Sequence, residues 1–160
     1  MAQQLSGKRY AQAIFDLAQE NNQVEQWGED LAVVAEAFED ADFAALMKHA
    51  DMSSVAKLAA TTTVLAGVNV MVRNLVDLLV SKNSVDSIVG VYTGYIELLD
   101  NHLGRQRVEV TTAVPLESAE ADRINSFVAG LVRREVVLTT NVDESIIGGL
   151  VIQIGDRLLD

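Results

Sequence analysis

The sequence predicts a mostly helical α+β protein: an N-terminal six-helix bundle followed by a small α+β domain with a short β-sheet and one covering helix. Two observations lead to this prediction. Through residues 1–104, apolar residues recur at spacings of three and four, which is the period of an amphipathic helix. After Gly104 the period changes to two, which is typical of a half-buried strand. We therefore expect one domain at residues 1–104 and a second at residues 105–160.

Composition favours a folded protein and excludes several functional classes. Of the 160 residues, 49% are hydrophobic, so a substantial core is expected. The absence of cysteine excludes disulfides, thiol catalysis and cysteine-bound metals. The net charge of -11 argues against nucleic acid and anionic membranes as direct partners. Because no apolar run reaches the length of a membrane span and the N-terminus lacks a signal-peptide pattern, we expect neither membrane insertion nor export.

The acidic residues are spread unevenly along the chain. Residues 1–104 carry a net charge of -8, whereas residues 105–160 carry a net charge of -3. An acidic surface of this kind is either a solvated face or a docking surface for a partner segment with basic residues. The sequence leaves both interpretations open.

The first helix is predicted from Ser6 or Gly7 to about Asn21. Its apolar residues cover more than one face of the helix. They are Tyr10, Ala11, Ala13, Ile14, Phe15, Leu17 and Ala18. A helix of this kind either lies centrally in a bundle or presents a second face to a partner.

The second helix is the most regular of the bundle. It runs from Val24 to Phe38, and its apolar residues alternate spacings of three and four. The only tryptophan, Trp27, belongs to this seam and is either core filler or a partner contact. We expect it to be partly buried beside a binding groove.

Shorter helices follow, each preceded by a residue that commonly caps a helix. Asp42 opens the third helix, and Ser53 or Ser54 opens the fourth. Gly67 ends the fourth helix and Asn69 starts the fifth.

The sixth helix has the longest uninterrupted helical pattern. It is predicted from Val85 to Leu103, with Asn83 or Ser84 as its cap and Gly104 at its end. The short connections between all six helices favour neighbours packed antiparallel in one bundle.

The remaining residues alternate strand and helix patterns. Val108, Val110, Thr112 and Val114 alternate with more polar residues, which predicts a half-buried strand that Pro115 closes. A helix and three further strands are predicted after it. They span residues 118–134, 135–142, 149–154 and 157–159. Because the helix lies between strands, we expect it to cover one face of the sheet.

The sequence contains no residue set with the composition of a catalytic centre. Gly148 and Gly149 lack the lysine of a phosphate-binding loop, so a tight turn is the favoured interpretation. Ser145 has no histidine nearby to act as its base. The two histidines, His49 and His102, fall in different helices, and we expect no metal site. A binding module is therefore favoured over a small enzyme with an unrecognised site.

Two segments at opposite ends of the chain resemble one protein family. Residues 8–18 read KRYAQAIFDLA, which is similar to the opening of the ATP synthase delta subunit, called OSCP in mitochondria. Residues 142–149 and 151–156 read VDESIIGG and VIQIGD, which resemble the signature hairpin of the same family. The family's order of helical bundle and α+β domain lies between them, so the resemblance covers the whole chain.

The resemblance implies a non-catalytic subunit in the peripheral stalk, or stator, of F-type (F1Fo) ATP synthase. Such a subunit links the F1 catalytic head to the b subunits of Fo during proton-driven ATP synthesis. The resemblance implies that the helical domain binds the N-terminal helices of α subunits and that the second domain contacts the b subunits. It implies no cofactor and a peripheral position on the cytoplasmic side of a bacterial membrane, or on the stromal side of the chloroplast thylakoid. A stand-alone helical adaptor for peptides is the alternative.

The resemblance also implies a groove for the α-subunit helix between the first and fifth helices. The apolar residues predicted to line this groove are Tyr10, Ala13, Ile14, Leu17, Val72, Val76, Leu79 and Val80. Some of them must face the core, and the sequence does not divide them. We place Ala13 at the base of the groove, because a partner helix can approach closely only over a short side chain.

One feature of the family pattern is missing from the sequence. In the family, the hairpin is followed by Asp-Gly-Ser and a basic terminal helix, whereas this sequence ends at Asp160. Either the sequence is truncated at Asp160 or this member of the family lacks the tail, and the sequence does not decide between the two. The contacts that the terminal helix makes in the family are therefore not assigned to this chain.

Overall fold

The computed structural model describes residues 2–155 and 157–159, with side chains for residues 7–155, 157 and 158. These residues form seven α-helices, one 3-10 turn and one four-stranded sheet. In chain order they are α1 (Ala2–Glu20), α2 (Val24–Glu39), α3 (Ala41–Lys48), α4 (Ser54–Val64), α5 (Val70–Ser81), a 3-10 turn (Val85–Ser87), α6 (Ile88–Leu103), β1 (Arg105–Thr112), α7 (Ser118–Val132), β2 (Glu135–Val142), β3 (Leu150–Ile154) and β4 (Arg157–Leu159). The mostly helical α+β class predicted from the sequence is confirmed.

The chain divides into two compact units, Met1–Leu99 and Asp100–Asp160. The division falls inside α6, shortly before the domain boundary expected at residue 104. The ion pairs of Asp100 explain this position. Its Oδ1 accepts a hydrogen bond from Arg105 Nε at 2.7 Å, and its Oδ2 accepts one from Arg107 Nε at 2.6 Å. The last turn of α6 is therefore bonded to β1.

Helix α1 begins at Ala2, earlier than the sequence predicts. Gly7 lies within the helix, where it allows a close approach of α6. A Cβ atom at Gly7 would lie 3.1 Å from the carbonyl carbon of Gly90. One turn further along each helix, a Cβ atom at Gly94 would lie 3.0 Å from the Cβ of Ala11. Small residues on both helices thus let α1 and α6 pack closely.

The start of α6 also differs from the prediction. The segment begins as a 3-10 turn, Val85–Ser87, and continues as α-helix only from Ile88. Of the two predicted caps, Ser84 occupies the N-cap position of the 3-10 turn, whereas Asn83 does not. Ser84 makes no side-chain capping bond, and Asn83 has a left-handed φ of 54° and donates its N–H to the carbonyl of Val80. Asn83 therefore ends α5 rather than starting α6.

The helices of the first unit pack around buried apolar side chains. Helix α4 packs against α5, and α2 contacts α1, α3 and α5. Trp27 is only 1% exposed, and its Nε1 donates a hydrogen bond to Gln23 Oε1 at 2.9 Å. The expectation that Trp27 is partly buried beside a groove is wrong, because the seam of α2 faces the interior.

Tyr95 is fully buried in the same unit and stays neutral over a wide pH range. Its hydroxyl donates a 2.6 Å hydrogen bond to the carbonyl of Val24, and its ring lies edge-on to Phe15. Burial raises the pKa of Tyr95 well above its usual range, and the nearby Asp30 carboxylate raises it further.

The raised pKa of Tyr95 leads to a prediction for alkaline solution. Because the folded state holds this proton more tightly than the unfolded state, the free energy of unfolding should fall as the pH rises above about 10. Tyr95→Phe should lose part of this pH dependence. Urea unfolding by circular dichroism on both sides of that pH measures it. If the free energy of unfolding falls equally in wild type and variant as the pH rises, groups other than Tyr95 cause the fall.

The second unit is built on a sheet of order β2-β1-β3-β4. Strand β1 pairs parallel to β2 and antiparallel to β3, and β4 pairs antiparallel to β3. Helix α7 contacts β2, and its Val128 completes the core of this unit. The buried core residues are Val108, Val110, Val128, Val136 and Ile152. The prediction of a covering helix is confirmed.

One end of β1 differs from the prediction. Val108, Val110 and Thr112 point inward as expected, at 0–4% exposure. Val114, however, is 68% exposed, because the strand ends at Thr112 and the chain then turns before Pro115. The assignment of Val114 to the buried face of the strand is therefore wrong.

Candidate partner-binding site

The structure divides the residues predicted to line the α-subunit groove into two groups. The first group lies in the core, at 0–4% exposure. It consists of Ile14, Val72, Val76, Leu79 and Val80. These side chains therefore have almost no surface to offer a partner.

The second group keeps exposed surface on α1. Ala13 is exposed, and Tyr10 and Leu17 are half-buried. Arg9, Tyr10, Ala13 and Lys82 line one cavity of about 360 Å³. Because Lys82 is the C-cap of α5, the structure brings this side of α1 to the end of α5.

Helix α5 has a second apolar stripe that the sequence analysis did not single out. Met71 is 37% exposed and Leu78 is 41% exposed, while Leu75 between them is half-buried. Their spacings of four and three place them on one face of the helix. Leu78 lies one turn before Lys82, and its carbonyl accepts the N–H of Lys82 at 3.0 Å. Because Lys82 and Ala13 line the same cavity, this stripe leads towards that cavity.

We call this surface the α1–α5 face. It consists of Tyr10, Ala13 and Leu17 on α1 and Met71, Leu75 and Leu78 on α5. The charged residues that line its cavity are Arg9 and Lys82, so the local charge is positive although the unit as a whole is acidic. Asp77 is engaged elsewhere, since it accepts the hydroxyl proton of Thr61 on α4 at 2.8 Å.

The second unit has an exposed apolar pair on α7. Phe127 is 65% exposed and Leu131 is 57% exposed, and their spacing of four places them on one face. Val128, by contrast, is buried in the core of the unit. We call Phe127 and Leu131 the α7 face. This face was not predicted from the sequence.

The same unit contains an open cavity of about 570 Å³ beside the first half of α7. Its lining includes Val114, Leu116, Ile124, Gly148, Gly149 and Leu150. The φ angles of Gly148 and Gly149 are 112° and 76°, a region that favours glycine. These angles support the interpretation of the glycine pair as a turn.

The residues considered for catalysis are occupied by structural bonds. Asp143 Oδ1 accepts hydrogen bonds from the Ser145 hydroxyl at 2.6 Å and from the Ser145 N–H at 2.9 Å. These two bonds lower the pKa of Asp143. Ser145 therefore closes an exposed turn with its own neighbour rather than facing a base.

The histidines and nearby acids do not form a metal site within the described residues, where no cluster of three potential ligands occurs. His49 Nδ1 accepts the N–H of Asp51 at 3.2 Å. Asp100, which could have joined His102, instead binds Arg105 and Arg107. Within the same residues, no helix is both long and apolar enough to cross a bilayer.

Comparisons with known proteins agree with the resemblance of the two terminal segments. The family described as ATP synthase delta (OSCP) subunit matches residues 7–160. ATP synthase subunit delta of Leuconostoc citreum is 33% identical over 154 residues, which is 95% of this chain and 86% of that relative. The subunit of the same name from Brevibacillus brevis is 30% identical over 156 residues, covering 96% of this chain and 89% of that relative.

The fold is also similar to that of a solved structure. A chain of the mitochondrial ATP synthase hexamer of Toxoplasma gondii superposes with a TM-score of 0.75. The match covers 96% of this chain and 88% of that chain, at 19% sequence identity. At this identity the structural match supports the fold alone. The family is shown by the sequence matches, which extend over nearly the whole chain. The chain belongs to the ATP synthase delta (OSCP) subunit family.

Proposed function

We propose that this chain connects the F1 head of an F-type ATP synthase to the b subunits of Fo and catalyses nothing itself. Membership of the family makes it a delta (OSCP) subunit of the ATP synthase stator, which is a structural subunit. The proposal assigns residues 1–104 to one six-helix bundle that binds the N-terminal helices of α subunits. It assigns residues 105–160 to a second domain that contacts the b subunits.

The α1–α5 face is the observation that supports the first contact. It presents apolar side chains from two helices in a unit that already has its own buried core. An amphipathic helix could insert its i, i+3, i+4 and i+7 residues along such a face. A persistent mechanical link favours a large apolar contact over exposed ion pairs, which contribute little.

Ala13 is suited to the closest approach of the partner helix. It is exposed, its side chain is short, and it lines the cavity together with Tyr10 and Lys82. A longer side chain at this position would fill the cavity before the partner could enter it. The neighbouring buried residues Ile14 and Val72 would then act only as the support of the groove.

Titration calorimetry with an α-subunit N-terminal peptide tests this contact. Ala13→Leu should weaken binding by about 1–3 kcal/mol, because the added methyl groups overpack the groove. Circular dichroism should show an unchanged fold, since residue 13 is exposed. Ala59→Leu, an equal change on the exposed side of α4, serves as the control and should bind normally. Equal affinity of a folded Ala13→Leu variant would move the groove to another surface.

The α7 face supports the contact with the b subunits. Two large apolar side chains exposed side by side on one helix are unusual for a surface that stays in water. They lie on the helix that covers the sheet, so the core beneath them is complete without a partner. A helical segment of b could cover both.

Replacing Phe127 by glutamate should abolish most of the binding to a soluble C-terminal fragment of the b subunit. A charge buried against an apolar partner costs about 2–4 kcal/mol, while the exposed position tolerates it in the free chain. Surface plasmon resonance measures the affinity. Val142→Glu, at another exposed apolar position of the same unit, is the matched control. Full binding by Phe127→Glu would place b elsewhere on the second domain.

The proposed function implies a peripheral location. A subunit that joins F1 to the b subunits lies beside the membrane, on the cytoplasmic side in a bacterium or on the stromal side in a chloroplast. The bacterial relatives support the first of these compartments.

A further inference from the structure

A polar cavity of about 550 Å³ lies in the first unit where α4 begins and α5 ends. Helix α3, the two loops that flank α4 and α5, and the 3-10 turn contribute to it. Its polar lining residues are Lys48, Ser54, Lys57, Ser81, Asn83 and Asp86. This cavity is not part of the α1–α5 face, and its function does not depend on the function proposed above.

Lys57 is the unusual residue of this cavity. It is only 7% exposed, although lysine is among the residues that proteins bury least. Within the described part of the chain, its ammonium group has neither an ion pair nor a hydrogen-bond acceptor. Lys48, by contrast, pairs with Asp86 at 2.5 Å. A largely buried lysine whose ammonium group has no protein partner loses part of its hydration, and an anion in the cavity would compensate for that loss.

Two polar groups close to Lys57 along the chain or the cavity bond to other partners. One turn along α4, the hydroxyl of Thr61 holds the carboxylate of Asp77. At the end of α5, the carbonyl of Val80 accepts the N–H of Asn83. Lys57 itself lines the cavity.

The start of α4 adds a second source of positive potential. The cap Ser53 accepts the N–H of Ala56 through its Oγ at 3.2 Å. The first helical residue, Ser54, lines the cavity, and no acceptor for its N–H lies among the described residues. Free N–H groups and the helix dipole both attract anions at this end of a helix.

We propose that this cavity binds a small oxyanion, with the Lys57 ammonium as its main contact and the start of α4 as its second. The oxyanion can be a phosphate or a carboxylate group of a small molecule, since both groups carry the negatively charged oxygens that the site would bind. The cavity volume falls in the range of small-molecule sites, about 300–1,000 Å³, so the anion can be part of a larger metabolite. Lysine suits this role because it binds phosphate as a point charge.

Solution NMR of the full chain tests the proposal with two probes, inorganic phosphate and acetate, each titrated at constant ionic strength. We expect saturable shifts that are confined to the amides around Ser54, Lys57 and Asn83. A response to phosphate alone would identify a phosphate site, and a response to acetate alone would identify a carboxylate site. A response to neither probe, or shifts spread over the surface without saturation, would overturn the proposal.

The variant Lys57→Met keeps an unbranched apolar side chain of similar length and removes the charge. It should weaken binding of the responding probe at least about tenfold. Lys8→Met, which removes an exposed lysine from α1, should bind within about twofold of wild type and controls for net charge. Unchanged affinity in Lys57→Met would overturn the assignment. If Lys57→Met does not fold, Lys57→Gln gives the same comparison, and the wild-type titration alone still decides whether the site exists.

Discussion

Replacing Trp27 by alanine is expected to lower the free energy of unfolding by about 3–5 kcal/mol. Trp27 is 1% exposed, so the truncation leaves a cavity the size of an indole ring inside the first unit. It also leaves Gln23 without the hydrogen bond that Trp27 donates. Because small domains are stable by only about 5–15 kcal/mol, much of the margin would be lost. Urea unfolding followed by circular dichroism measures the change.

The matched control for this prediction is Val55→Ala. Val55 lies on α4 and is 79% exposed, so its truncation should change the free energy of unfolding by less than about 0.5 kcal/mol. The emission of Trp27 in the wild type should stay constant when an α-subunit peptide binds, since the indole lies in the core. A stable Trp27→Ala variant, or a large emission shift on binding, would contradict the buried position.

The periodic parts of the fold could be predicted from the sequence because their cause is local. The strand bounds of β2, 135–142, and the start of α7 at Ser118 agree with the structure. Errors occur where a tertiary contact overrides local preference. Gly7 was expected near a helix start, but it lies within α1, close to Gly90 of α6. Asparagine commonly caps the start of a helix, but Asn83 adopts a left-handed φ and ends the preceding helix instead.

The candidate site was only partly predictable, because α5 is apolar on more than one side. Spacings of three and four fit the stripe of Val72, Val76 and Leu79 as well as the stripe of Met71, Leu75 and Leu78. Periodicity identifies both stripes, but only the positions of the neighbouring helices decide which one is buried. On α1, periodicity likewise does not show that Ile14 is buried and Ala13 is exposed.

The cavity beside Lys57 could not be predicted at all. Its lining comes from α3, α4, α5 and the loops between them, and no sequence motif joins these segments. A single lysine in an amphipathic helix pattern is normally solvated. Only the packing of α4 against α5 shows that this lysine is buried. Sites built from several helices in this way require the fold before they can be recognised.

Leu78→Asp is expected to weaken binding of an α-subunit N-terminal peptide by about 2–4 kcal/mol, which is roughly 30- to 1,000-fold. Leu78 is 41% exposed, so the aspartate is solvated in the free chain and becomes buried against the partner. Lys82, one turn further on, could pair with the new carboxylate, but an exposed pair at this spacing contributes only about 0.2–0.5 kcal/mol. Titration calorimetry measures the affinity.

Two control variants separate the α1–α5 face from a general effect of charge or folding. Val55→Asp makes the same kind of change on an exposed apolar residue of α4, and its affinity should stay near that of wild type. Val76→Asp lies two residues before Leu78, on the buried stripe of α5, and it should unfold the first unit rather than weaken binding in a folded chain. If a folded Leu78→Asp binds as tightly as Val55→Asp, the outward stripe of α5 does not contact the α subunit. That result would leave α1 alone, through Tyr10 and Ala13, as the docking helix.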